Sequence, residues 1–382
     1  MKFAHLGDCH LGGWRQPELK ELNLDSFKYA VDKCISEKVE FVIIAGDLFD
    51  TSYPPIDILK DTFNEFRKLH EHKIPVFLIA GSHDYSASGK TFLDVLEKSG
   101  FCRNISLFHE KDGKIVLQPT VYNKTVFYGY PGKKSGLEVD DIERIKLDDA
   151  PGFFKILVLH TALRDAIGRL PIKAVDHNFL PKVDYLALGH LHINYCKENR
   201  VYSGPTFPNN LSELEELQGG SFYIYADGRI TRESIKLKQL VIIDKEVKNA
   251  LSTTDELLLE LEKHNLKDKI LILKMYGIIE KGKSADIDFK KIEDYAKANG
   301  AYTVIKSITK LHLQDSEVKS DFLDSANLEA MIIKRFEETN PSPFNNLIPQ
   351  LMKSLQIEKA DEERLNIFEE RLVSEIMKVL EK

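Results

Sequence analysis

Along roughly its first 225 residues the chain alternates between two hydrophobic rhythms. Residues 41–45, 76–80, 156–159 and 185–188 are short, unbroken apolar runs, most of them ended by glycine or histidine, and they read as strands buried on both faces. Between them, apolar positions recur at steps of three and four. Phe27, Ala30, Val31, Cys34 and Ile35 do so within 24–35, and Leu59, Phe63 and Phe66 within 56–69, each giving the stripe of an amphipathic helix. This alternation predicts a layered α/β domain over residues 1–225, with Val116-Leu117 and Val126-Phe127-Tyr128 as an antiparallel pair partway along.

The rhythm then changes twice. Asp227-Gly228, set between Phe222-Tyr-Ile-Tyr225 and Arg229-Ile230, is a hairpin signal; residues 271–273 and 302–305 read as strands around a helix near 289–298. With no chemical motif in this stretch, it predicts a small α+β accessory domain over 226–315. From Asp321 onward the pattern is one of acidic helices interrupted at Asn340-Pro-Ser-Pro343. The last helix carries Leu365, Phe368, Leu372, Ile376 and Leu380 in one stripe, with Glu362, Glu363, Glu369 and Glu370 on other faces. That stripe packs on the chain's own core or, because residues 320–382 are too few to close a core alone, docks on a partner protein.

Composition narrows the function. Among 382 residues, 43% are hydrophobic and 30% charged, which suits a globular chain of one catalytic domain plus appendages. No apolar run approaches the ~18 residues needed to cross a bilayer, and the first residues lack a signal-peptide pattern, so the expected location is cytoplasmic with no membrane contact. Cys9, Cys34, Cys102 and Cys196 show no CxxC spacing, which argues against a zinc knuckle or disulfide framework and for free thiols. A net charge of −7 is not that of a protein that holds nucleic acid by bulk electrostatics; contact with phosphates must be local and aided by bound cations.

Candidate chemistry is concentrated in five segments: Asp8-Cys9-His10, Gly46-Asp47, Gly81-Ser82-His83-Asp84, His160 and Gly189-His190-Leu191-His192. Each follows or closes an apolar strand, where α/β sheets place ligand-bearing loops. In extended backbone, residues i and i+2 project to one side, so Asp8 with His10, and His190 with His192, each present two ligands together. Glycine before Asp47, Ser82 and His190 permits a tight turn and a close approach to the backbone. Carboxylate plus imidazole without thiolate suits Mn²⁺, Fe²⁺ or Zn²⁺. His5, His109, His177 and His312 stand alone and read as structural or surface histidines.

In their order and type these segments resemble the signature of the calcineurin-like metallophosphoesterase superfamily, DxH, GD, GNHD, H and GHxH. The resemblance implies a four-layer α/β/β/α domain holding two metal ions. Asp47 would bridge the ions, Asp8, His10 and His192 would complete one, and His160 with His190 would serve the other. His83 would orient or protonate the leaving oxygen. Ser82 stands where the signature has asparagine, and its hydroxyl is a poorer metal ligand than an amide carbonyl.

Within the superfamily, Asp8-Cys-His-Leu-Gly12, Gly46-Asp-Leu-Phe-Asp50 and Tyr185-Leu-Ala-Leu-Gly-His-Leu-His192 are most similar to the SbcD or meiotic-recombination-eleven type, nucleases of double-strand-break repair. That resemblance implies a Mn²⁺-dependent DNA nuclease with a capping domain. It implies as well that the helical tail binds an SMC-like coiled-coil ATPase of the SbcC type, and that the chain pairs as a homodimer, for which the amphipathic stretch 56–69 is the candidate unless it packs wholly on its own sheet. Arg15, Arg164 and Arg169 are candidate contacts to the DNA backbone and Trp14 a candidate stacking residue, or all four are ordinary loop residues. Two other readings stay open: a phosphodiesterase or phosphatase acting on nucleotides or other small phosphoesters, and a scaffold with a decayed site. The second is disfavoured by the presence of Asp8, His10, Asp47, His83, His160, His190 and His192 together.

Overall fold

The computed structural model describes residues 1–84, 86, 91–168, 172–313, 342, 344–355, 357 and 365–380. It separates into two compact units, Met1–His312 and Leu313–Lys382.

The first unit is built on two six-stranded sheets packed face to face. In sheet one, β1 (Lys2–Leu6), β2 (Phe41–Ala45), β3 (Val76–Ile79) and β4 (Arg103–Asn104) run parallel. Its other edge is the antiparallel hairpin β14 (Gly220–Ala226) and β15 (Arg229–Ile235), which pairs on β1. The hairpin turns at Asp227 and Gly228, both at positive φ (47° and 89°), as a two-residue turn matched to strand twist requires. The boundary expected after residue 225 therefore falls inside a hairpin, and sheet one continues to Ile235.

Sheet two takes the order β12 (Tyr195–Lys197), β13 (Arg200–Tyr202), β11 (Tyr185–Gly189), β10 (Phe154–His160), β8 (Thr125–Tyr130) and β7 (Thr120–Tyr122). Phe3, Phe41, Ile43, Phe77, Phe127, Ile156, Val158 and Tyr185 fill the space between the sheets. On the outer face of sheet one, helices α1 (Pro17–Ser36), α2 (Ile56–Glu71) and α3 (Phe92–Lys98) bury Phe27, Val31, Leu59 and Phe66. Pro17 opens α1, where its missing N–H is no loss, so the helix starts seven residues before the apolar stripe that announces it.

The outer layer on sheet two is thinner. It consists of α4 (Glu138–Ile142), α5 (Arg164–Ile167) and a small sheet of β5 (Phe108–Lys111), β6 (Lys114–Leu117) and β9 (Ile145–Leu147). This small sheet corrects one expectation. Val116 lies in β6 opposite His109, whereas Val126 lies in β8 opposite Val121, so the two runs belong to different sheets. Each run forms a hairpin with its own immediate predecessor, turning at Asp112-Gly113 and at Asn123, all at positive φ.

The accessory region is a three-stranded sheet of β16 (Gln239–Glu246), β17 (Lys269–Ile279) and β18 (Thr303–Leu313), with α7 (Ala250–Leu261) and α8 (Phe289–Ala298) on one face. Its other face contributes Ile270, Ile272 and Ile305 to a core shared with Trp14, Leu19, Phe207 and Leu214, the last on α6 (Leu211–Leu217). In the second unit, α9 (Ile348–Leu355) and α10 (Leu365–Leu380) pack against each other. Phe368, Leu372 and Ile376 of the expected stripe are partly buried, while Leu380, Val373 and Met377 are exposed. The segment 321–341 and the residues Glu362 and Glu363 lie outside the described residues. No described helix is long and apolar enough to cross a membrane.

Candidate metal centre

The parallel strands of both sheets end at one rim, and the five motif segments leave from it. Backbone bonds join them: Asp8 N–H donates to Gly46 O (3.1 Å) and His10 N–H to Asp47 O (3.0 Å). Asp47 Oδ1 accepts from His83 N–H (2.7 Å), and Asp8 Oδ1 from His190 N–H (2.8 Å). Asp8, His10, Asp47 and His190 all hold positive φ (51°, 42°, 49° and 92°). That region costs a non-glycine residue roughly 1–2 kcal/mol, so the surrounding bonds impose it and the strain is concentrated at one site. The glycines there are sterically obligatory. A Cβ at Gly81 would lie 2.2 Å from Asp47 Oδ1, and one at Gly189 would lie 2.0 Å from Ala45 O, where the two sheets meet.

Four imidazoles are tied by their outer nitrogen. His160 Nδ1 lies 2.9 Å from Ala45 O and His83 Nδ1 lies 2.7 Å from Asp50 O. His10 Nδ1 lies 3.2 Å from Asp50 Oδ1 and His192 Nδ1 lies 2.9 Å from Glu213 Oε1. Carbonyls and carboxylates only accept, so each Nδ1 carries a proton and each Nε2 points the other way, where it ligates once any proton it holds is displaced. For His10, His160 and His192 that direction is inward. His10 Nε2 and His192 Nε2 face each other at 3.0 Å, and His160 Nε2 lies 3.2 Å from Asp47 Oδ2 without the geometry of a hydrogen bond. Asp8 Oδ2 is likewise buried without a partner. Buried carboxylates and imidazole nitrogens converging in this way need protons or a divalent cation to balance them, and Asp8 Oδ2 and His160 Nε2 are left without a hydrogen-bond partner, so the donor set fits hard or borderline metal ions.

Among the described residues the donor atoms form three overlapping sets, each within 4.8 Å of one another: Asp8, His10 and His192; Asp8, Asp47 and His160; and His10, Asp50 and His83. His190 is outside these sets, its ring 5.2 Å from that of His160. Ser82 Oγ donates to Asp47 Oδ2 at 3.3 Å.

The charges are strongly coupled. Burial disfavours the Asp47 carboxylate, but His160 and His10 beside it hold it below the usual carboxylate range. Burial also opposes a charged His160, yet Asp47 and Asp8 raise it to about 10, so at neutral pH the ring holds a second proton, on Nε2, that a bound cation would displace. Burial and the neighbouring His160 lower His190 to about 4, which keeps its ring neutral at neutral pH and available as a ligand. Burial, with Asp47 close by, pushes Asp84 up to about 6, even though Asp84 accepts N–H bonds from Leu48, Phe49 and Gly81. Asp84 is therefore a clamp that holds the loops after β2 and β3 together.

Several participants escape a sequence reading. Asp50, three residues after Asp47, orients both His10 and His83; its place in Gly46-Asp-Leu-Phe-Asp50 was the available signal. Glu213, whose Oε1 meets His192 Nδ1, and Glu138, which accepts from Thr161 Oγ1 beside His160, have no signal in local spacing. The loop candidates fare differently. Trp14 is buried, with Nε1 donating to Pro208 O at 2.7 Å and its ring against Phe207, so it packs the loop and offers no stacking face. Arg15 and Arg164 are exposed, and Arg169 lies outside the described residues. All four cysteines are free, Cys9 and Cys34 buried.

Residues 1–194 match the family model for calcineurin-like phosphoesterases. Over most of its length the chain is also similar to curated proteins named DNA double-strand break repair protein Mre11. It is 28% identical over 349 residues to that of Methanocaldococcus jannaschii, spanning 87% of this chain and 88% of the relative. Against that of Methanococcus maripaludis, identity is 31% over 274 residues, 65% of this chain and 70% of the relative. Against that of Archaeoglobus fulgidus it is 24% over 401 residues, 96% of this chain and 88% of the relative.

Proposed function

Because the chain belongs to the calcineurin-like phosphoesterase family, we propose that it is a manganese-dependent DNA nuclease, hydrolysing phosphodiester bonds with two metal ions in double-strand-break repair. The observation that carries this reading is the set of tethered imidazoles whose Nε2 atoms converge with Asp8 and Asp47. Support for DNA as the substrate comes from similarity over most of the chain to proteins named for double-strand break repair.

Asp8, His10 and His192 would hold one ion, His160 and His190 the other, with Asp47 between them; Mn²⁺ suits this set, as do Fe²⁺ and Zn²⁺. Such ions supply Lewis acidity and lower the pKa of the attacking water. The protein's own part is positional. Asp50 keeps the His10 ring in the tautomer that ligates, and the rigid rim fixes where a phosphate can lie. His83 is exposed at the edge of the site, its Nδ1 bound to Asp50 O, so Nε2 is the atom that faces an incoming phosphodiester. With Nδ1–H held by Asp50 O, a second proton taken up at Nε2 would be the one passed to the leaving oxygen.

The accessory sheet would cap the DNA, the helical region 320–382 would bind a coiled-coil ATPase, and α2 would supply a homodimer face, where Ile56 is among the exposed apolar side chains. The test is digestion of end-labelled single- and double-stranded DNA with Mn²⁺, with EDTA and His83→Ala controls. Cleavage that requires Mn²⁺ and falls by about 10²–10⁴-fold in His83→Ala is the expected result. No DNA cleavage alongside good hydrolysis of small phosphodiesters would redirect the assignment to nucleotide substrates.

A further inference from the structure

Of the carboxylates at the rim that the metal-ligand reading above does not use, Glu213 is the one bonded to the outer nitrogen of His192. Glu213 lies on the side of His192 away from the other donors: its Oε1 is 2.9 Å from His192 Nδ1, while His192 Nε2 faces His10. Glu213 therefore touches neither a metal position nor a substrate, and it acts only through the ring.

Its own position is over-determined. Glu213 Oε2 accepts the N–H of Asn209 at 2.9 Å, and the Asn210 amide donates to Oε1. Glu213 N–H in turn donates to Asn210 Oδ1 at 3.0 Å, which caps α6. The next residue, Leu214, is 1% exposed in the core shared with Ile270, Ile272 and Ile305 of the accessory sheet. Two residues on, Glu215 pairs with Lys274 of β17 at 2.9 Å. The carboxylate is thus set by a helix clamped on both sides, and not by a mobile surface side chain.

We propose that Glu213 is the positioning residue for the metal ligand His192: it fixes the Nδ1–H tautomer and ring orientation, and its charge makes Nε2 a stronger donor to the ion. Resting on the metal-centre reading, it extends the functional unit from the five motif segments to a sixth, α6. A carboxylate that orients a ligating histidine commonly contributes a 10- to 100-fold change in metal affinity.

The test is a Mn²⁺ titration of the full-length protein, with free Mn²⁺ read by electron paramagnetic resonance, on wild type, Glu213→Ala, Glu213→Gln and Glu215→Ala. Metal-free melting curves accompany it. The expected result is two bound ions in wild type and a loss of about 10- to 100-fold at one site in Glu213→Ala. Glu213→Gln should recover part of that loss, because its amide oxygen still accepts Nδ1–H, and Glu215→Ala should retain wild-type affinity. The proposal is overturned if Glu213→Ala stays within about threefold of a wild type that binds metal, well short of the effect of losing such a partner. It is equally overturned if Glu215→Ala, which loosens α6 without touching His192, loses as much. A wild type that binds no Mn²⁺ would bring down the metal reading itself, and this inference with it.

Discussion

At the scale of single residues, the site departs from its family signature at Ser82. The hydroxyl donates to Asp47 Oδ2 at 3.3 Å, so one oxygen of the carboxylate between the two candidate ion positions is engaged by a donor, and no amide carbonyl stands there to ligate. Ser82→Asn is expected to tighten the weaker of two Mn²⁺ sites by about tenfold, equivalent to ~1.4 kcal/mol, as read by calorimetric titration. An unchanged isotherm would mean that Ser82 does not limit occupancy. The candidate ligands were legible because they sit in short motifs, Asp8 with His10 and His190 with His192, although the extended backbone that i, i+2 spacing assumes is absent: Asp8, His10 and His190 hold positive φ. Glu213 could not be read in this way. It lies 21 residues beyond His192, and only the folding of α6 against the rim brings the two together.

At the scale of elements, strand ends determine what the site can tolerate. Gly189 closes β11 so tightly against Ala45 O that any side chain must push the two sheets apart. Gly189→Ala is expected to destabilise the protein by about 1–3 kcal/mol and to weaken metal binding in the same variant, since the displaced backbone carries His190 and His192. Thermal melts with and without Mn²⁺ measure both effects, and a variant with a native melt and full Mn²⁺ affinity would contradict the steric argument. The buried parallel strands and amphipathic helices were legible from periodicity, because burial on two faces or on one stripe writes itself into the sequence. Strand pairing was not. Val116 and Val126 looked like partners from their proximity and composition, yet each closes a hairpin with the run just before it. Trp14 shows the same limit: an aromatic in a glycine-rich loop gives no sign of whether it will face solvent or, as here, pack beneath Phe207.

At the scale of the whole molecule, the residues through His312 form one compact unit containing both large sheets, the accessory sheet and every candidate ligand. Deleting residues 321–382 is accordingly expected to leave the melting temperature and bis-p-nitrophenyl phosphate hydrolysis unchanged while removing binding to an ATPase partner. Loss of folding on truncation would show that the tail belongs to the core. The sequence by itself determined the layered α/β class, the hairpin at Asp227-Gly228 and the identity of the candidate ligands, because periodicity, turn chemistry and ligand spacing are local properties of the chain. Only the tertiary structure decided which strands share a sheet, that sheet one runs past the expected boundary to Ile235, and that Asp50, Asp84 and Glu213 brace the site. Those relations join residues far apart in sequence, and their energies arise only once the sheets have packed and the rim has closed around the converging donor atoms.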